Sequence, residues 1–194
     1  MKVAYTISND FCPQTLFVYG TYQANGRPDF GLFCWFSYCR IEDRLGVMAA
    51  VGGSKLTLDR IHATGAFSAN LVTESMLPLA DYFGTRDGYD AKKMDVSISV
   101  EPGRVLNVPI LTASPVSYEL ELAQTIPQEG SEILLCRIKN LLVDERLADK
   151  TQSVEERLRA IAPVRTTCMT YFGHDGRDMG KWHEPCAQIE QSVK

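Results

Sequence analysis

The sequence predicts a mainly β fold, a closed antiparallel barrel carrying a few short helices. Three observations predict it. About seven runs of strand length follow one another closely. Turn signals lie between several of them, Asn25-Gly26 the strongest. Only two or three short helical segments are inserted, too few for the crossovers of a parallel sheet. Closure into a barrel would also remove exposed strand edges.

Residues 14–22, QTLFVYGTY, are rich in aromatic and β-branched types and read as a strand. Asn25-Gly26 tolerates positive φ and turns the chain into a second strand over 29–38. Residues 45–52, LGVMAAVG, are nearly continuously apolar, which suits a strand covered on both faces. A short helix follows at 57–64, with Thr57 as its N-cap and Gly65 as the left-handed residue that ends it. Residues 66–72 read as a strand, and 74–83 as a helix whose first turn holds Pro78. Residues 84–95 are polar and glycine-punctuated, hence loop. Short strands are expected at 96–100 and 104–110, then long ones at 115–125 and 131–143 around a turn from Pro127 to Gly130. A last helix, 153–161, is capped by Ser153 with Glu156 three positions on. The tail from Pro163 reads as irregular.

A length of 194 residues suits one domain over 1–194, with a core at about 12–145 and a C-terminal helix and tail at about 150–194. A net charge of -4 and the lack of any Lys/Arg run argue against nucleic acid. No apolar stretch approaches the roughly 20 residues of a membrane helix. The start, MKVAYTISNDF, lacks the apolar core of a signal peptide, so the expected location is the cytoplasm. None of the six cysteines forms a CxxC pair, and mostly reduced thiols are expected, several of them small core residues.

No GxGxxG, Walker A, HExxH or GxSxG occurs. His174, His183 and Cys186 lie close together in the tail, at a spacing that matches no common structural zinc pattern, and also read as a solvated segment. The informative stretch is GGSKLTLDRI, residues 52–61: a glycine loop entering a helix, with hydroxyls at Ser54 and Thr57 and an ammonium at Lys55. A helix start attracts anions, because its first N–H groups lack partners and its dipole is positive there. The same residues also suit an ordinary capped helix beside a solvated lysine.

SKLT followed by DRIHATGAFSANLV resembles the flavin reductase pattern of a basic residue, a hydroxyl residue two positions on, an isoleucine, a glycine and Phe-x-x-Asn-Leu. NGRPDFGLFCW is similar to the stretch of that family ending in a small residue and Trp. ADYFGTRDGYDAKKM resembles the Asp-Tyr-x-Gly-x-x-x-Gly segment with a closing lysine of the flavoredoxin-like branch, and Pro163 through TYFG resembles the closing element. The resemblance spans about 14–175. It implies a Greek-key split β-barrel of the FMN-binding superfamily, a homodimer, and FMN held non-covalently near the subunit interface. Cys34 and Trp35 would line the ring. Ser54, Lys55 and Thr57 would hold the phosphate. Ser68, Ala69, Asn70 and Leu71 would flank the ring or ribityl chain, and Lys93 would add a contact. NAD(P)H would be the electron donor of a flavin oxidoreductase. An electron carrier served by a redox partner protein, or a split barrel without flavin, are the alternatives. The chain departs from the pattern at Asp29 and Leu32, where the family often carries Asn and Thr, and at IEDRLG, where it carries a proline pair. An anion at Asp29 would repel a nearby phosphate, and Leu32 offers no hydroxyl.

Overall fold

The computed structural model describes residues 1–192. The strands are β1 (Gln14–Thr15), β2 (Phe17–Tyr22), β3 (Pro28–Phe33), β4 (Phe36–Ile41) and β5 (Arg44–Gly52); helix α1 (Leu56–Thr64) leads to β6 (Ala66–Leu71). A 3₁₀ turn, Glu74–Met76, enters α2 (Leu77–Thr85), followed by β7 (Val100–Pro102), β8 (Pro109–Leu111), β9 (Val116–Gln128) and β10 (Ser131–Val143). Then come α3 (Val154–Ile161), β11 (Arg165–Thr167), β12 (Thr170–Phe172), β13 (Asp178–Lys181) and α4 (Ala187–Ser192).

Seven strands form one antiparallel sheet in the order β3-β2-β6-β9-β10-β5-β4. Its outermost strands, β3 and β4, are consecutive in the chain and joined only by Cys34–Trp35. So short a joint forces the sheet to curl until its edges meet, giving a split barrel with a seam at that joint. Two stacked ring pairs line the seam, Tyr19 on Phe33 at 4.4 Å and Phe17 on Phe36 at 4.1 Å. The β5-to-β6 connection skips over β10 and β9, the Greek-key feature of the topology. It carries α1, which packs Leu58 and Ile61 into the barrel core beside Phe67, Leu120 and Leu134.

A second core lies on the opposite face of β2 and β3. There Leu16, Val18 and Phe30 pack under Leu77, Ala80 and Phe83 of α2, and Val164 and Tyr171 of the tail join them. Because β2 is covered on both faces, its apolar residues do not alternate. The long β9–β10 hairpin bends through two register shifts, at Leu135/Cys136 and Ile138/Asn140, of the kind that β-bulges introduce.

Several sequence expectations need correction. The run 29–38 is two strands, because the chain changes sheet edge at Cys34–Trp35 while its residues stay apolar. The strands near 96–110 lie at 100–102 and 109–111, as a separate two-stranded ladder. The tail is ordered: β11, β12 and β13 form a four-stranded sheet with β1, from strands too short to show a period. Helix α3 has the capping box that its sequence predicts, with Ser153 Oγ accepting from the Glu156 amide and Glu156 from the Ser153 amide. Gly65 ends α1 at φ 70°. Among the described residues, no helix is long and apolar enough to cross a membrane.

Candidate functional site

The chain leaves β5 through Gly53, at φ 70°, and enters α1 from Lys55, whose backbone is extended. No side chain caps this end of the helix. Thr57 is therefore not the N-cap. It lies one residue inside the first turn, is buried, and its hydroxyl donates to Asp29 Oδ2 at 3.4 Å. Its neighbour β3 runs close by because position 31 is glycine: a Cβ there would meet Thr57 Oγ1 at 3.0 Å and the Phe33 ring at 2.9 Å.

Between this turn, β3 and the segment after α2 lies a cleft of about 280 Å³, lined among others by Leu32, Ser54, Lys55, Gly84, Asp87 and Lys93. Lys93, in its lining, belongs to a buried ion pair. Lys93 Nζ is 3.3 Å from Asp29 Oδ1, with the two side chains 3% and 0% exposed. Asp29 Oδ1 makes no hydrogen bond. Burial pushes the Asp29 carboxyl above its ordinary range and the Lys93 ammonium below its own; each partner's charge opposes the shift. Arg86, also on the cleft, pairs with Glu190. The Lys55 ammonium has no ion pair or hydrogen bond among the described residues, and so is the free cation of the wall.

A smaller cavity, about 90 Å³, adjoins the cleft and shares Leu32 and Gly84 with it. Cys34, Leu16, Tyr171, Trp182 and His183 line it, and burial pushes the Cys34 thiol up. The tail that supplies its far wall is held to α2 by Asp81. That carboxylate accepts from the Tyr171 hydroxyl at 2.6 Å and from the His183 and Cys186 amides at 3.0 Å each.

The structure thus brings Ser54, Lys55, Thr57 and Lys93 together on one cleft and Cys34 onto the adjoining cavity. It does not bring the others there. Trp35 is 54% exposed and lines neither cavity. Ser68, Ala69, Asn70 and Leu71 are buried within β6, away from both cavities. Ala69 and Leu71 fill the barrel core. Asn70 Nδ2 donates to Val18 O, and Asn70 Oδ1 accepts from the Leu111 amide and the Ser117 hydroxyl. Ser68 donates to Pro109 O. These groups stitch β2, β6, β8 and β9 together. Sequence reading passed over Gly84, in the last turn of α2, and Arg86 and Asp87 just beyond it, although GTRDG is a glycine-punctuated stretch running off a helix end, the kind of segment that carries function. In the tail, His183 and Cys186 contribute backbone amides to Asp81. No group of three His, Cys, Asp or Glu among the described residues is placed to hold a metal.

A family model described as flavin reductase like domain matches residues 9–168. The chain belongs to this family. Among solved structures, flavoredoxin of Desulfovibrio vulgaris (Miyazaki F) is similar at 21% identity with a TM-score of 0.76, over 95% of this chain and 98% of that one. A split barrel domain protein of Shewanella frigidimarina aligns at 17% identity and TM-score 0.75, over 85% and 84%. Nitrilotriacetate monooxygenase component B of Bacillus cereus aligns at 14% identity and TM-score 0.76, over 95% and 100%. At such identities the likeness is one of fold. No curated protein sequence matches the chain.

Proposed function

We propose that this protein holds FMN non-covalently and works as an NAD(P)H-dependent flavin oxidoreductase. One observation carries the reading. A polar cleft with an uncapped helix start and an unpaired ammonium runs, through Leu32 and Gly84, into an apolar cavity at Cys34. That arrangement suits a ligand with an anionic end and a flat apolar end. Lys55, Ser54 and the first amides of α1 would take the phosphate, and the Leu32–Cys34 edge would seat the ring. The flavin, when bound, supplies the hydride and electron chemistry, while the chain positions it and keeps water from one side.

The near full-length similarity to a flavoredoxin supports a second reading, an electron carrier that keeps its FMN and is reduced by another protein. The exposed apolar side chains Trp35, Tyr38, Leu45 and Met48, on and beside β4 and β5, support a homodimer. The six free cysteines support a reducing, cytoplasmic setting.

The absorption spectrum of the purified protein, titrated with FMN and then NADH, tests the assignment. Flavin bands with rapid NADH-dependent bleaching are expected. Tight FMN with slow NADH oxidation would favour the carrier, and a colourless protein that takes up no flavin would overturn both.

A further inference from the structure

The cleft offers four side chains suited to a phosphate: Ser54, Lys55, Thr57 and Lys93. Two of them are already committed. The Thr57 hydroxyl proton points to Asp29 Oδ2, and the Lys93 ammonium faces Asp29 Oδ1. Asp29 is fully buried, so water does not screen its charge from either donor. Its Oδ1 has no hydrogen bond, and the contact with Lys93 is an ion pair of loose geometry at 3.3 Å. The third cation of the wall, Arg86, is engaged by Glu190. One formal positive charge, that of Lys55, is left to meet an anion.

Resting on the flavin reading above, we propose that Asp29 is a specificity-determining residue for the anionic end of the ligand. By holding Lys93 and Thr57 it withdraws two of the four donors, so the site selects for the ring and discriminates weakly between FMN and riboflavin. An approaching phosphate meets the Asp29 charge through the same two side chains that would have gripped it. Replacing the carboxylate by its neutral isostere keeps an acceptor for Thr57 and releases the Lys93 charge to the cleft.

The test compares dissociation constants of riboflavin and FMN, by flavin fluorescence quenching on the full chain, for wild type, Asp29→Asn, and Asp29→Asn combined with Lys93→Met. The riboflavin-to-FMN ratio is expected to be under about tenfold in wild type and to rise by roughly tenfold in Asp29→Asn, the gain of one unscreened charge contact. It is expected to return to the wild-type value in the double variant. An unchanged ratio in a single variant that still binds flavin overturns the proposal, as does an equal loss of both flavins. Should the single variant fail to fold, the double variant decides. A wild-type ratio there supports the proposal, whereas a tenfold fall means that Lys93 grips the phosphate already, and overturns it. Riboflavin and FMN both failing to bind wild type would instead remove the flavin reading itself, a result distinct from either.

Discussion

Two buried carboxylates of this molecule stand in opposite conditions. Glu119, on β9, is fully buried, and both its oxygens are occupied. The amides of Arg104, Val105 and Leu106 donate to it at 3.0, 2.8 and 2.6 Å, and Asn140 Nδ2 at 2.7 Å. Asp29 is buried as deeply but receives one long hydroxyl bond and one ammonium, with Oδ1 unbonded. Burial pushes both acids up. At Glu119 the donors, Leu106 first, outweigh it and the carboxyl lies below its ordinary range; at Asp29 burial prevails and the carboxyl lies above. A clasp that folds a loop onto the barrel is saturated with donors. Asp29, behind the lysine that lines the cleft, is left short of them.

The largest effect that would sharpen this contrast is loss of the clasp. Glu119→Ala leaves three loop amides and an amide side chain without their acceptor, and about 3 kcal/mol of stability should go. Removing the other pair whole is expected to be mild. Asp29→Asn with Lys93→Met should stay within about 1 kcal/mol of wild type, because a buried ion pair replaced on both sides leaves no stranded charge. Urea unfolding of the two variants checks both values. If the charge-pair variant lost as much as Glu119→Ala, the two sites would be equivalent and the contrast would break.

Acidity separates them by sign. Glu119 has a lowered folded-state pKa, so its contribution is present above the ordinary glutamate range and is lost as pH falls through the folded value. Asp29 has a raised one, so the native state binds more protons than the unfolded chain, and stability falls as pH rises from the ordinary aspartate range through the folded value. Unfolding midpoints over about pH 3 to 7 should show a steep acid limb that Glu119→Gln flattens. Asp29→Asn should leave that limb and remove a shallower opposing slope above it. Matching slopes in the two variants would show that the two carboxyls do not titrate in opposite directions.

How much of this was legible in the sequence follows the range of the interactions. The hairpin turns, the Ser153–Glu156 capping box and the Gly65 terminator are local, and their residue chemistry announces them. The break at Cys34–Trp35 is not local. It comes from the two edges of a seven-stranded sheet meeting, and an apolar run reads the same whether the chain stays on one edge or changes to the other. Asn70 drew attention as a polar group in an apolar strand. Apart from Ser68 two residues away, its partners Val18, Leu111 and Ser117 stand 41 to 52 residues off, so the local sequence does not show that it is satisfied within the barrel wall. Asp29 and Lys93, 64 positions apart by their numbers, are a pair for the same reason: only folding brings them to 3.3 Å.

The smallest expected effect on stability belongs to Lys55, and it tests the open side of the comparison. Its ammonium touches no partner among the described residues, so Lys55→Ala should change stability by no more than about 0.5 kcal/mol. If the cleft takes an anionic end, the same substitution should weaken FMN by roughly tenfold and riboflavin hardly at all, since riboflavin carries no phosphate for a lysine to meet. The difference should shrink in high salt, because Lys55 is exposed where Lys93 is not. Equal weakening of both flavins would move the phosphate away from α1. The cleft would then be an apolar seat with a solvated lysine at its rim, and the shortage of donors at Asp29 would have no bearing on the ligand.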